Sequence, residues 1–244
     1  MNLAIDIGNT SIKKASFLDS KLNKITHINY SKKKLDKVLT ILKKDLKKHD
    51  KIYICSVVPE LNVLIKKKIL TSNVFFINKT LLKSFVHKTI NFKQLGIDRL
   101  INVLGANKVF PKSKNLIIID LGTATTLDLI VKNKYYGGVI LPGLKTSYYN
   151  LISLASGIKS IYFHEYNGVI GKDTKSALLS GYNTGYNLMI NSYIKILTSK
   201  FKFRFKVIFT GGYASNIINK KNNYIYREDL TLLGITQYHY FLNK

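Results

Sequence analysis

Residues 1–14 read M-N-L-A-I-D-I-G-N-T-S-I-K-K, and residues 115–127 read N-L-I-I-I-D-L-G-T-A-T-T-L. Each is a short β-rich run ending in Asp-x-Gly, then small hydroxylated or amide residues, then a second apolar run. Superposing Asp6 on Asp120 also superposes Gly8 on Gly122. Apolar runs of strand length joined through a glycine read as β-hairpins, here with an Asp at each bend. One such turn is commonplace. A matching pair, one opening each half of the chain, points to a duplication.

Comparable material follows each hairpin. Leu35, Val38, Leu39, Leu42 and Leu46 recur at helical spacing and predict an amphipathic helix over 32–48. A buried strand is expected at 52–57, a helix from Pro59, where proline suits a first turn, and a strand at 74–77. The second half predicts a strand pair over 116–131, a third strand near 135–140, and a break at Pro142-Gly143. A long helix from about 173 to 198 and a strand at 206–210 come next, the strand running into Gly211-Gly212 with a helix after it. Hairpins followed by alternating helices and strands argue an α/β architecture with mixed sheets. Two domains are expected, 1–110 and 114–244, with a linker near 108–114, where Pro111, Lys112 and Ser113 interrupt the pattern.

Composition narrows the function classes. An excess of 39 Lys+Arg over 13 Asp+Glu gives a formal charge of +26, which raises nucleic acid or an anionic membrane as partners. The lysines are scattered, as in Lys32-Lys33-Lys34, Lys43-Lys44, Lys47-Lys48 and Lys66-Lys67-Lys68, and no Arg-rich arm accompanies them. They read as solvated helix faces, so neither nucleic acid nor a membrane is expected as a partner. Cys55 is the only cysteine, so neither an intrachain disulfide nor a multi-cysteine metal site can form. It lies in the apolar run Ile52-Tyr53-Ile54-Cys55 and reads as a buried strand thiol. Asp6 and Gly8 interrupt the N-terminal apolar stretch, which therefore lacks a signal-peptide layout. No run reaches the roughly 18 apolar residues of a membrane span. A cytoplasmic location is expected.

Three turns carry the chemistry. At the first, Gly8 lets backbone approach an anion, and successive N–H groups can cradle phosphate. Thr10, Ser11 and Lys13 add donors and a positive charge, and Asp6 offers a carboxylate for Mg²⁺. There is no Walker A sequence. The second turn, Asp120-Leu121-Gly122-Thr123-Ala124-Thr125-Thr126, presents another carboxylate among hydroxyls. The third, Thr210-Gly211-Gly212, is a strand-to-helix turn where backbone can lie flat against a nucleotide.

The trio resembles the two phosphate loops and the adenosine loop of the actin/sugar-kinase/Hsp70 superfamily. Leu95-Gly96-Ile97-Asp98-Arg99 narrows the resemblance to type III pantothenate kinases, which carry a Gly-x-Asp-Arg motif there. Asp6-Ile7-Gly8-Asn9-Thr10, the second turn, and Gly137-Gly138-Val139-Ile140-Leu141-Pro142-Gly143 fit the same pattern. So do Gly171-Lys172-Asp173-Thr174, Ser180-Gly181, Thr210-Gly211-Gly212 and Asp229 to Ile235, so the resemblance spans residues 3–235. It departs at Thr89 and Phe92, where the family has a Tyr and a Pro, the Tyr walling the pantothenate site. Residues 156–168 also match poorly.

The resemblance implies two duplicated ribonuclease-H-like (actin-like) domains and ATP-dependent phosphorylation of pantothenate. Asp98 is then the base for the primary hydroxyl of pantothenate. Arg99 faces the substrate carboxylate or the transferring phosphoryl group, with Gly96, Ile97 and Thr174 also at the substrate. Asp6, Ile7, Gly8, Asn9, Thr10, Ser11, Ile12 and Lys13, with Thr123, hold ATP and its Mg²⁺. Asp120 becomes a ligand for a monovalent cation, K⁺ or NH₄⁺. The family also implies a homodimer joined through the second domain, and the stripe Ala177, Leu178, Tyr182, Tyr186, Met189, Tyr193, Leu197 offers such a surface or a core-facing one. Two rival functions stay open at this level: a non-catalytic actin-like nucleotide-binding protein, and a kinase for another small hydroxy acid.

Overall fold

The structure, a computed structural model, describes residues 1–31, 35–46, 48–69, 71–158, 161–214 and 224–243. The first elements are β1 (Asn2–Ile7), β2 (Ser11–Leu18), β3 (Lys21–Leu22), β4 (Thr26–Asn29), α1 (Leu35–Leu46), β5 (Ile52–Ser56), α2 (Pro59–Lys68), β6 (Val74–Phe76) and α3 (Ile97–Val109). A 3₁₀ helix, Lys79–Phe85, precedes α3. Then come β7 (Leu116–Leu121), β8 (Ala124–Val131), β9 (Lys134–Pro142), α4 (Leu144–Leu154), α5 (Thr174–Ser180), α6 (Tyr186–Phe201), β10 (Lys206–Thr210), β11 (Ile225–Tyr226) and α7 (Leu230–Leu242).

The duplication is visible in strand order. One sheet runs β3-β2-β1-β5-β6, with β4 also on β2, and the other runs β11-β10-β7-β8-β9. Read from the opening hairpin outward, the two orders are the same. In each, the hairpin is antiparallel and the next strand, β5 or β10, joins its first strand in parallel. The second hairpin of each sheet turns on two residues in the left-handed region, Asp19-Ser20 and Lys132-Asn133. That pairing of positive φ angles matches the twist of the flanking strands.

The chain divides into two compact units, Met1–Lys112 with Asn133–Tyr136 and Asp229–Lys244, and Ser113–Lys132 with Gly137–Glu228. The change at Lys112–Ser113 falls inside the linker read from sequence. The C-terminal helix differs from the sequence expectation, which grouped all of 114–244: α7 belongs to the first unit. The reason is its contact with α3. A Cβ on Gly105 of α3 would collide with the Leu230 carbonyl, and one on Gly234 of α7 with the Ile101 carbonyl, so two glycines let the backbones approach.

In the first unit, strand alternation decides which residues face which helices. Leu3, Ile5, Ile7, Ile52 and Ile54 join Val38, Leu39 and Leu42 of α1 and Leu61 and Ile65 of α2 in one buried cluster. Each fully buried aliphatic side chain contributes about 1.5–3 kcal/mol. Ala4, Asp6, Tyr53 and Cys55 therefore point to the opposite face, the side on which α3 and α7 pack against β1 and β5. The lysine runs 43–44 and 66–68 close α1 and α2, where cations suit the negative end of the helix dipole. Residues 32–34 and 47, within the helix expected over 32–48, lie outside the described residues.

In the second unit, Ile117, Ile119 and Leu121 pack with Leu144, Tyr186, Ile190 and Ile194. The helix expected from 173 to 198 is present as one right-handed run from α5 through α6, with a π-helical turn at Gly181–Gly185 within it. Glycines at both ends lower the helical propensity there, and the Asn183 amide bonds the Leu179 carbonyl at 2.8 Å. The helix expected after Gly212 falls largely on 215–223, outside the described residues.

Candidate active site

In the first unit, the bend of the opening hairpin is Gly8 to Thr10, closed by the Gly8 N–H to the Ser11 carbonyl at 3.0 Å. Asp6 lies two residues ahead of it, inside the ladder and paired with Lys13. The bend is anchored from outside: the Tyr30 hydroxyl donates to the Gly8 carbonyl at 2.6 Å, and the Tyr30 N–H to the Thr10 carbonyl at 3.2 Å. Asn9 and Thr10 are exposed, while Ile7 and Ile12 are buried beneath. The sequence singled out the loop but not Tyr30, because no local signal links residue 30 to residue 8.

Asp98 occupies the first turn of α3, behind the N-cap Gly96. Its Oδ1 accepts the Arg99 backbone N–H at 2.9 Å. The side chain keeps some exposed surface, but protein surrounds it on most sides. That loss of water raises its carboxyl above the ordinary carboxylate range, against the opposing pull of the Arg99 amide and guanidinium. The Arg99 guanidinium carbon stands 5.5 Å from the Tyr135 ring centroid. Asp6 and Cys55 are neighbours across parallel strands, and both Asp6 and Asp98 raise the thiol of Cys55, after the larger effect of burial. The two carboxylates, 92 positions apart in sequence, are thus both close enough to Cys55 to act on its thiol.

The loop before Gly96 explains what the two departures do. Thr89 bonds its hydroxyl to His87 Nδ1 at 2.8 Å, and the His87 ring lies 4.6 Å from that of Tyr136. Phe92 lies under the Lys79 ammonium, 5.1 Å from ring centroid to Nζ.

In the second unit, Asp120 pairs with Thr126 on β8 and Thr210 on β10, so oxygen-bearing side chains flank it on both sides. Gly211, at φ +89°, leaves the Asp120 carboxylate its room, since a Cβ there would stand 2.6 Å from Oδ1 and from the Leu121 backbone. The Thr123 carbonyl accepts the Gly143 N–H at 3.2 Å and the Thr146 hydroxyl at 2.8 Å, which ties the second turn to the start of α4. Thr174 opens α5 and is exposed; the cap is Asp173, which accepts the Ser176 N–H at 2.8 Å. That bond holds the Asp173 carboxyl below its ordinary value.

Two duplicated α/β domains with mixed sheets, each opened by an Asp-bearing hairpin, define the actin/sugar-kinase class. Solved structures agree on this fold. A Campylobacter jejuni protein assigned to the Baf family of transcriptional activators matches with TM-score 0.65 at 24% identity, over 99% of this chain and 98% of its own. A Sinorhizobium meliloti protein assigned as a 2-dehydro-3-deoxygalactonokinase matches with TM-score 0.61 at 11% identity, over 98% and 96%. Sequence is more specific. The type III pantothenate kinase profile matches residues 2–196. Relatives named type III pantothenate kinase include one from Pelagibacter ubique, 35% identical over 94% of this chain and 95% of its own. Another, from Sulfurihydrogenibium sp., is 31% identical over the whole of both chains. The chain belongs to the type III pantothenate kinase family.

Proposed function

We propose that the chain catalyses ATP-dependent phosphorylation of pantothenate to 4'-phosphopantothenate, the first step of coenzyme A biosynthesis, in the cytoplasm and as a homodimer. The observation that carries this reading is that Asp6, beside Cys55 in the sheet, and Asp98, at the start of the helix packed on β5, both lie close enough to act on the Cys55 thiol. A phosphate-loop carboxylate and a candidate base held near one another are what phosphoryl transfer needs, since catalysis there is mostly positioning and charge stabilisation.

In the reaction, the primary hydroxyl oxygen of pantothenate bonds the γ-phosphorus of ATP, and the bond from that phosphorus to the β,γ-bridging oxygen breaks, releasing ADP. The hydroxyl proton passes to Asp98, whose raised carboxyl makes it the stronger base. Arg99 offsets charge on the substrate carboxylate or the moving phosphoryl group. Gly96, Ile97 and Thr174 line the substrate. The hairpin from Asp6 to Lys13 (Ile7, Gly8, Asn9, Thr10, Ser11 and Ile12 between them) offers N–H groups and hydroxyls to the ATP phosphates, and Thr123 contacts nucleotide.

Asp6 would hold the Mg²⁺ that arrives with ATP, which would supply neutralisation of the phosphate charge. Around Asp120 the donors are oxygens: its carboxylate with the neighbouring Thr126 and Thr210. Oxygen donors suit a hard cation such as K⁺. Among the described residues no cluster of three His, Cys, Asp or Glu side chains offers a transition-metal site.

For the dimer, the helical stripe divides. Tyr186 is buried, and Tyr182, Met189, Tyr193 and Leu197 pack on the second unit's core. Tyr182, Tyr186 and Met189 also line, with Leu151, Ala177 and Leu178, an apolar groove of about 480 Å³, which is our candidate surface for a second copy. Among the described residues no helix is long and apolar enough to cross a membrane.

The test is a pantothenate phosphorylation assay with MgATP, with and without K⁺ or NH₄⁺, beside Asp98→Asn. Cation-dependent turnover that collapses in the variant is the expected result. ATP binding with turnover of a different hydroxy acid overturns the substrate, and ATP binding with no acceptor at all overturns the kinase reading.

A further inference from the structure

We infer that Lys79 is a positioning residue of the pantothenate site: it clamps the loop that runs into Gly96-Ile97-Asp98-Arg99. The inference rests on the reading of those four residues as substrate motif and base. Lys79 opens the 3₁₀ helix, and its ammonium donates to the carbonyls of Lys93 and Leu95, each at 3.0 Å. The chain turns through residues 92–95, and one cation there bridges both carbonyls. The same ammonium sits over the Phe92 ring. Three of the four residues before Gly96 therefore converge on one side chain.

The base of the clamp is itself fixed. Asn78 accepts the Thr80 N–H through Oδ1 at 3.0 Å, and its own N–H donates to the Tyr238 hydroxyl at 2.9 Å. Tyr238 is a buried residue of α7, and Leu82, three residues beyond Lys79, is also fully buried. The loop has little regular structure of its own; Gln94 N–H to the Asn91 carbonyl, 3.2 Å, closes one turn. Hydrogen bonds from an ammonium are stronger than neutral ones, and an ammonium sheltered by a ring is less accessible to competing water. The clamp sets the backbone immediately before the N-cap of α3, and so the direction in which Asp98 leaves the first turn. Lys79 acts through that backbone and needs no contact with substrate.

Lys79→Met keeps the aliphatic stem and removes the donors; Lys79→Arg restores donors that can span two carbonyls. Hydrogen exchange over 91–97 and steady-state kinetics are read together. Losing a charge-assisted bond predicts, for Lys79→Met, exchange in 91–97 and KM for pantothenate both rising about tenfold, with KM for ATP and exchange in β1 held within about twofold. Lys79→Arg recovers most of both. Unchanged exchange over 91–97, or acceleration spread evenly over β1, α3 and α7, overturns the clamp. A loosened loop with an unchanged pantothenate KM overturns the positioning role. If the wild-type protein turns over no pantothenate, the functional reading fails, and the exchange data still decide whether Lys79 holds the loop.

Discussion

A Cβ placed on Gly96 stands 2.5 Å from Oδ1 of Asp98. The N-cap residue and the carboxylate two positions later thus compete for one space, and glycine leaves it to the carboxylate. Gly96→Ala turns the Asp98 side chain away while α3 stays folded. Misplacement of a reacting group by about 1 Å costs on the order of 100-fold, so kcat/KM for pantothenate should fall by about that factor. Thermal unfolding should move little. A variant with wild-type kcat/KM removes Asp98 from the proton transfer.

Asp98→Asn trades activity for stability. As general base, its loss should lower kcat by about 10²- to 10⁴-fold. The carboxyl is raised in the folded protein, so between its unfolded and folded pKa values the native state holds more protons than the unfolded one. Stability therefore falls as pH rises through that window, and above it the charged carboxylate carries its full desolvation cost. The amide carries no such cost. Denaturant melts at neutral pH should find Asp98→Asn the more stable protein, with the gain shrinking at pH values below the ordinary carboxylate range. A variant less stable than wild type at neutral pH contradicts the raised carboxyl.

Gly211 serves Asp120 as Gly96 serves Asp98, with backbone conformation added. At φ +89° an L side chain is strained, and the new Cβ would meet the Leu121 backbone as well as Asp120 Oδ1. Gly211→Ala should destabilise by about 1–3 kcal/mol. If Asp120 holds K⁺, the concentration of K⁺ for half-maximal activity should rise as well, which a purely structural role of Gly211 does not predict.

Cys55 has no exposed surface, and burial together with Asp6 and Asp98 pushes its thiol well above the ordinary range. The thiolate is the reactive form. Iodoacetamide at pH 8 should leave the native protein unlabelled and modify it only as denaturant unfolds it. Fast labelling of native protein would show that the surroundings of Cys55 are open to solvent.

Leu178→Asp places a charge in the apolar groove of the second unit. If this groove joins two copies, sedimentation should find the wild type dimeric and Leu178→Asp monomeric. A dimeric Leu178→Asp protein moves the interface elsewhere.

Much of this was legible in the chain as written. The Asp-x-Gly hairpins at 6–8 and 120–122, strands near 52–57, 74–77, 116–131 and 206–210, and the proline start of α2 all rest on local patterns that three to eight residues express. The spacing Gly96-Ile97-Asp98-Arg99 was visible too, as was its place at a helix start. The π-helical turn at Gly181–Gly185 was not, because the apolar period continues across it. Tyr30 and Lys79 were also invisible: each acts on backbone at least fourteen positions away, and neither lies in a motif.

The sequence by itself determined that the chain is duplicated, that each half begins with a carboxylate at a hairpin, and which residue types stand ready for phosphate, base and cation. Tertiary structure alone decided which of them meet. Period two in β1 and β5 separates Asp6 and Cys55 from the aliphatic cluster, but only the packing of α3 brings Asp98 close to Cys55. Likewise α7 closes the chain yet belongs to its first unit, because Gly105 and Gly234 let two helices more than a hundred residues apart bring their backbones together. A local pattern reports that a face is apolar or polar. What covers that face depends on contacts between distant segments, whose shapes must fit before either gains by burial.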